Sequence, residues 1–212
     1  MFLSEQRLHH LTHIDNLTGI LVDGVLHADA AQSWTGRPDI DISSSDTREA
    51  RRTTSIAGTE TTVANYVPFF LSPDANLWEG MRMGTPDPRL TRIARSTPAS
   101  EFIMLVTTIK QVTAIGAHYP LVTDGDAADP RTRFATTQED AERALRRMLA
   151  SDDGAVLRAE MLVPDPVPFD IITLIGVAND KVRAATRSLL AGSGYQPRVA
   201  VHPPWFALPT DG

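Results

Sequence analysis

The chain contains a series of short apolar segments, and each is long enough for only one β-strand. They lie at residues 67–71, 102–107, 120–123, 155–163, 171–178 and 198–202. Between them, capping residues and helical spacing of apolar side chains predict helices at 15–24, 46–52, 75–83, 109–116, 137–150 and 180–191. Strands and helices that alternate in this irregular way are typical of an α+β protein, so we expect a mixed α+β fold.

Capping residues support two of the predicted helices. Asp15 and Gly24 suit the two ends of the first helix, and Thr137 followed by Asp140 resembles a capping box. The polar residues 28–47 predict a loop. We find no internal repeat, and 212 residues are enough for one domain with a substantial core, so we expect a single domain over residues 1–212.

Composition excludes several classes of protein. The chain has no cysteine, which excludes disulfide scaffolds, thiol nucleophiles and Cys-ligated metal centres. A net charge of −6 argues against a non-specific basic coat for nucleic acid, although a local basic groove is still compatible with it. No apolar run reaches the roughly 18–20 residues of a membrane span, and the first residues carry no signal-peptide core. We therefore expect a cytoplasmic protein without a membrane partner.

Standard phosphate and metal motifs are missing. The sequence has neither a GxxxxGK[ST] loop nor a GxGxxG turn after a strand. An EF-hand count from Asp124 places Ala135 where a bidentate Glu is required. His10 and His13 have a spacing that zinc can use on a helix, but no carboxylate motif completes a ligand set. We expect no metal site.

Glu160 lies in a segment that reads as a strand with alternating faces. Leu157, Ala159, Met161 and Val163 share one face, so Glu160 lies on the opposite face. By itself this pattern indicates a carboxylate in solvent. The Arg pair at 51–52 likewise suits the solvated face of a short helix.

Three segments together resemble the DarT family of bacterial DNA ADP-ribosyltransferase toxins. Residues 10–17 read His-Leu-Thr-His-Ile-Asp-Asn-Leu, similar to the family's His-x-Thr-His-x-Asp-Asn-Leu block. Residues 66–71 read Tyr-Val-Pro-Phe-Phe-Leu, where the family has Tyr-Val-Pro-Phe-Tyr-Phe. Residues 159–163 read Ala-Glu-Met-Leu-Val, similar to its Ala-Glu-aliphatic-Leu-Val strand. The order of the segments matches, and the Arg pair at 51–52 lies where the family carries one.

The resemblance implies a fold, a reaction and partners. The expected fold is an ADP-ribosyltransferase-like split, bent β-sheet core with flanking helices and NAD⁺ in the cleft as co-substrate. The implied reaction transfers ADP-ribose from NAD⁺ to a base of single-stranded DNA, most often thymine. A macrodomain antitoxin that removes the ADP-ribose is the implied protein partner.

The resemblance also assigns roles to residues. Glu160 would be the catalytic glutamate, where a carboxylate can stabilise the oxocarbenium character that develops at the ribose carbon. Arg52 would orient and polarise the target base. The residues assigned to NAD⁺ are His10, Thr12, Asn16, Tyr66 and Phe70. Weaker assignments to the DNA substrate are Arg51, Asn76 and Arg133.

Departures from the family pattern leave the substrate open. Phe70 replaces a Tyr, and Asp74 and Asn76 replace Arg and Met in a region expected to meet the target base. Residues 79–100 and 131–147 each carry a net charge of +2 and are candidates for a strand-binding groove. The alternatives are the same transfer to another base, RNA or protein, a plain NAD⁺ glycohydrolase, and a homologue that binds NAD⁺ without catalysis.

Overall fold

A computed structural model of the chain describes residues 2–116 and 118–208. Within these residues the strands are β1 Arg7–His13, β2 Val25–Leu26, β3 Tyr66–Phe70, β4 Phe102–Thr108, β5 Leu121–Thr123, β6 Phe134–Ala135, β7 Glu160–Pro164, β8 Val167–Pro168, β9 Leu174–Val177 and β10 Arg198–Val201. The helices are α1 Asn16–Asp23, α2 Ser45–Thr53, α3 Asn76–Arg82, α4 Arg92–Ser96, α5 Ile109–Thr113, α6 Gln138–Ala150 and α7 Asp180–Leu190.

Eight of these strands form one mixed sheet in the order β10-β9-β4-β1-β3-β7-β5-β6, and β2 pairs separately with β8. Only the β10–β9 pair is parallel. β1 pairs with β4 over seven residues, but its pairing with β3 is a single bridge between His9 and Phe70. The sheet is therefore split between β1 and β3. The strands of this sheet come from both ends of the chain.

Apolar residues cover both faces of the sheet. The larger cluster packs one face against α1, α5, α6 and α7, and it includes Phe69 and Met161. The second cluster covers the other face with α3, α4 and the C-terminal segment, around Trp78 and Phe102. A third, smaller cluster contains Tyr66 and Leu162. The site described below lies on the face of the second and third clusters.

The structure confirms the mixed α+β fold and corrects some predicted elements. Residues 7–13, to which no strand was assigned, form β1 in the centre of the sheet. His10 and His13 are consequently on opposite faces of a strand and cannot share a metal ion as they could on a helix. Residues 155–157 form a 3-10 turn, so the strand begins at Glu160 rather than at 155. The Arg-rich connection after α3 contains the short helix α4.

The C-terminal segment is anchored against the second cluster. Trp78 Nε1 donates to the Trp205 carbonyl at 2.6 Å, and Arg82 donates to the carbonyls of Pro204, Trp205 and Ala207 at 3.1–3.3 Å. The Trp205 ring lies directly on Gly176 of β9, where an added Cβ would collide with Cζ3 of the ring. Only glycine leaves room for the ring at this position.

We expect Gly176→Ala to lower the free energy of unfolding by about 1–3 kcal/mol, since the ring must move out of a packed site. Gly80→Ala is the matched control. Gly80 is inside α3 with open space around its Cα, so alanine there should stabilise the fold by about 0.5–1 kcal/mol. Urea denaturation measures both values. Equal stability of the two variants would show that Trp205 does not pack on Gly176.

Candidate active site

Glu160 is the first residue of β7, and its side chain leaves the sheet on the face opposite the main core. Met161 and Val163 belong to that core, so strand alternation turns Glu160 the other way. In the sheet register Glu160 lies opposite Phe70, and Phe70 lies opposite His9. Side chains of residues paired across strands share a face. His9, Phe70 and Glu160 therefore form a row across β1, β3 and β7.

The Glu160 carboxylate is buried and paired with an arginine. Its side chain is 8% exposed, and Oε2 accepts from both Nη1 and Nη2 of Arg51 at 3.1 Å. Oε1 accepts from the Ala127 N–H at 3.4 Å, and the Glu160 N–H donates to Thr123 Oγ1 at 2.9 Å. Burial raises the pKa of Glu160, the Asp126 charge raises it further, and the Arg51 charge opposes the increase. The sequence pattern alone had indicated a solvent-exposed carboxylate.

Helix α2 directs the Arg51 side chain toward Glu160 and the Arg52 side chain toward Asp29. Ser44 caps the helix by accepting from the Thr47 N–H. Arg48 and Arg52 are one turn apart and both reach Asp29, at 2.6 and 2.8 Å. Because adjacent helical residues point about 100° apart, Arg51 faces Glu160 while Arg52 faces the 28–47 loop. The structure thus places the weakly assigned Arg51 at the carboxylate, and Arg52 away from it.

Beyond their one bridge, β1 and β3 are unpaired, and we call the gap between them, beside this row, the β1–β3 cleft. The Ile14 N–H donates to Glu101 O, and the Ile109 N–H donates to Gln6 O, so even-numbered residues of this segment direct their backbone groups toward β4. The backbone groups of Leu11 and His13 therefore point toward β3, beyond the last bridge. An unpaired strand edge of this kind offers N–H and C=O groups to a planar amide.

The polar residues of the first motif hold the cleft in place. His10 Nδ1 lies 2.9 Å from Pro68 O, and because a carbonyl only accepts, Nδ1–H is the donor. Burial lowers the pKa of His10, so this ring is neutral. Asn16 donates from Nδ2 to Thr12 Oγ1 and to Ile40 O, and its Oδ1 accepts from the Ile40 N–H. The motif thereby fixes the distance between β1 and β3 and anchors the 28–47 loop.

The remaining predicted residues are dispersed. Phe70 is half-buried beside Glu160. Tyr66 is four residues earlier on β3, about 13 Å along the strand, and its hydroxyl hydrogen-bonds Thr61 Oγ1 at 3.0 Å. Asn76 is exposed at the start of α3. Arg133 is exposed, and its N–H donates to Asp124 at 2.9 Å.

Sequence reasoning missed several residues around Glu160. Thr123 and Ala127 contact it directly; Thr123 had been predicted only as the end of a strand, and Ala127 had been given no role. His9 is buried, which lowers its pKa to about 4, and its Nδ1 has no hydrogen-bond partner among the described residues. Its ring meets Trp205 edge-on at a centroid distance of 5.6 Å. Residues 8–13 do not alternate between apolar and polar side chains, and His9 comes to lie opposite Phe70 only through the pairing of β1 with β3.

The family model described as "ssDNA thymidine ADP-ribosyltransferase, DarT" matches residues 9–207. The chain belongs to the DarT family. This assignment confirms the resemblance of the three sequence segments. A comparison with curated proteins gave no match.

Solved DarT structures share the fold. Thermus sp. 2.9 DarT in complex with ADP-ribosylated ssDNA has a TM-score of 0.77 and 22% identity, over 95% of this chain and 96% of that chain. Thermus sp. 2.9 DarT in complex with NAD⁺ has a TM-score of 0.75 and 21% identity, over 97% and 100% of the two chains. Thermosipho africanus DarTG in complex with ADP-ribose has a TM-score of 0.68 and 17% identity, over 95% of this chain and 51% of that one. These similarities confirm the DarT fold.

Over residues 2–116 and 118–208, no three His, Asp or Glu side chains converge as metal ligands do. In the same part of the chain, no helix has the length and apolar character to cross a bilayer.

Proposed function

We propose that this chain transfers ADP-ribose from NAD⁺ to thymine in single-stranded DNA, with Glu160 as the catalytic carboxylate and Arg51 as its partner. The observation that carries the proposal is the buried Arg51–Glu160 pair, which lies next to the β1–β3 cleft in a DarT-family fold. NAD⁺ is the co-substrate, in line with the complexes of Thermus DarT with NAD⁺ and carba-NAD⁺.

Glu160 has two tasks in this reaction. The bond between nicotinamide and the ribose carbon breaks, and nicotinamide leaves with the electron pair. The ionised carboxylate stabilises the positive charge that develops on the ribose. A ring nitrogen of thymine then forms the new bond to that carbon, and Glu160 accepts the proton this nitrogen loses. The raised pKa of Glu160 makes it a stronger base than an ordinary carboxylate.

Arg51 keeps Glu160 ionised and oriented. Both of its contacts go to Oε2, so Oε1 retains acceptor capacity beside the Ala127 N–H. The guanidinium also supplies positive charge where a thymine carbonyl becomes negative as its ring nitrogen is deprotonated. We therefore propose for Arg51 the role that the family resemblance implied for Arg52. For Arg52 we propose a structural role, in which its ion pair with Asp29 holds α2 against the 28–47 loop.

The NAD⁺ assignments divide by position. We propose that Phe70 contacts the nicotinamide ring, because it neighbours Glu160 in the row. The exposed backbone of Leu11 and His13 suits the carboxamide. His10, Thr12 and Asn16 act by holding the cleft open, and Tyr66 supports β3 from a distance.

The DNA path is proposed to cross the exposed side of the site. Asn76 and Arg133 are exposed and free to meet a strand, as are Arg92 and Arg95 of α4. Arg82 and Arg89 of the basic stretch instead make internal contacts.

The family also suggests a setting for the reaction. Thermosipho DarTG binds ADP-ribose, and we propose that this chain is a toxin paired with a macrodomain antitoxin that removes the modification. We further propose a cytoplasmic location, where NAD⁺ and single-stranded DNA are available.

Labelled NAD⁺ offered with single-stranded DNA, duplex DNA, RNA and a protein mixture tests the substrate. We expect label on single-stranded DNA that contains thymine, and none on a thymine-free strand of equal length. Label on RNA or protein alone would overturn the assignment of single-stranded DNA as the substrate. Release of nicotinamide without transfer would indicate a glycohydrolase.

The pH dependence of the reaction follows from the state of Glu160. Its raised pKa means that protonation begins at a higher pH than for an ordinary carboxylate. We expect kcat/KM to fall as the pH decreases through this raised pKa, since only the ionised form can accept a proton. Initial rates at constant ionic strength between pH 4 and 9 measure the profile. A rate that is flat down to pH 4 would contradict the role of Glu160 as base.

A further inference from the structure

A second ion pair holds the loop that contacts Glu160. Arg89 Nη1 donates to Asp126 Oδ2 at 2.9 Å, and its Nε and Nη2 donate to Asp87 at 2.7–3.2 Å. Asp126 is partly buried, and it immediately precedes Ala127, whose N–H contacts the Glu160 carboxylate. Neither Arg89 nor Asp126 is among the residues that the sequence assigned to the site.

Arg89 also connects the loop at Asp126 with helix α2. Its carbonyl accepts from the N–H of Ser44, the N-cap of the helix that carries Arg51. Leu90 forms a β-bridge with Ser43, and Thr91 donates from its N–H to Ile42 O. One residue therefore contacts both elements that deliver hydrogen-bond donors to Glu160.

Asp126 in turn shapes the loop around itself. Its Oδ1 accepts from the Ala128 N–H at 2.8 Å, and its carbonyl accepts from Thr132 Oγ1 at 2.6 Å. These contacts fix the direction of the Ala127 N–H. Asp126 also brings a negative charge close to the Glu160 carboxylate.

We propose that Arg89 and Asp126 are positioning residues for Glu160: the pair aims the Ala127 N–H at the carboxylate, and the Arg89 charge screens Glu160 from Asp126. The inference rests on the proposed function of Glu160 for its catalytic consequence, and on geometry alone for its effect on the carboxylate.

Charged and titratable groups face Glu160 from helix α2, from the β5–β6 loop and from the sheet. Arg51 faces it from α2 and Asp126 from the β5–β6 loop. From the sheet, Thr123 and Phe70 are the uncharged neighbours, and His9, kept neutral by burial, lies one strand beyond Phe70. Among the described residues, Asp126 thus contributes a negative charge near Glu160, and removing the cation Arg89 must shift the pKa of Glu160 in the opposite direction from removing the Asp126 charge itself.

The test compares Asp126→Asn with Arg89→Met in the full chain. A ¹³C NMR titration of protein labelled at the Glu carboxyls follows Glu160 without any substrate, and Glu160→Gln assigns its signal. We expect the titration midpoint of Glu160 to move down in Asp126→Asn and up in Arg89→Met. On the acid limb at fixed pH, kcat/KM should change by about two- to threefold in the corresponding opposite directions.

Arg131→Met is the matched control for the titration midpoint, which is measured without DNA. Arg131 donates from Nε and Nη2 to Asp129, as Arg89 does to Asp87. The Arg131–Asp129 pair, however, is exposed and has no contact with Glu160 among the described residues. If the Arg89→Met protein does not fold, Asp126→Asn, which keeps the size of the side chain, still tests the direction in which the titration midpoint of Glu160 moves. Midpoints that move together, or no further than in Arg131→Met, overturn the inference. Opposite shifts without DNA modification would instead leave the inference standing and overturn the proposed function.

Discussion

Glu160→Gln is expected to lower kcat for DNA modification by about 10³-fold, within the range found when a general base or an electrostatic stabiliser is removed. The glutamine side chain has the same shape as glutamate and stays within reach of Ala127 and Arg51. However, it is neutral and cannot accept the proton. Binding of NAD⁺ should remain within a few-fold of wild type because β1 and the cleft are unchanged.

Glu49→Gln is the control for this substitution. Glu49 is exposed on α2, close to Arg51 in sequence, and forms no ion pair among the described residues. We expect its activity to equal that of wild type. Single-turnover rates with labelled NAD⁺ and calorimetric NAD⁺ affinities separate catalysis from binding. A Glu160→Gln protein that retains a tenth or more of wild-type kcat would contradict a catalytic role for this carboxylate.

Arg51→Met is expected to lower kcat/KM by about 100-fold, whereas Arg52→Met should change it by less than about threefold. Arg51 is 14% exposed and bonded to a buried carboxylate, so its removal leaves Glu160 without a cation and raises the pKa of Glu160. Arg52 is 42% exposed, and among the described residues its ion pair is with Asp29, which Arg48 also contacts.

Arg51→Lys refines this comparison. Lysine keeps the charge but cannot offer two donors to Oε2 in a fixed plane, so a partial loss of activity is expected. Initial rates over a range of NAD⁺ concentrations measure all three variants, with folding checked by circular dichroism. If Arg52→Met is the more damaging change, the arginine that serves Glu160 during turnover is not the one that contacts it in this structure.

Local patterns predicted much of the fold but not its central strand. The alternation at residues 159–163 correctly placed Met161 and Val163 in the core, because a strand has a strict period of two. β1 was missed because its segment contains three histidines and reads as polar. It is nevertheless largely buried, because it lies in the middle of the sheet with a cluster on each face.

The arrangement of the site could not be predicted from local patterns, because it depends on contacts between residues that are distant in sequence. Glu160 was placed on its face correctly, but its burial depends on Arg51, 109 residues away, and on the loop at Ala127. The choice between Arg51 and Arg52 depends on the phase of α2. That phase is set by Asp29 and by the cap at Ser44, neither of which is visible in the Arg pair itself.

Mass spectrometry of nucleosides tests the central claim most directly. Wild-type and Glu160→Gln proteins are incubated with NAD⁺ and a mixed-sequence single strand, and the digested DNA is searched for nucleosides that have gained ADP-ribose. The account predicts modified thymidine, in an amount equal to the nicotinamide released, from wild type and almost none from the variant. Adducts on another base, or equal adducts from both proteins, would contradict it.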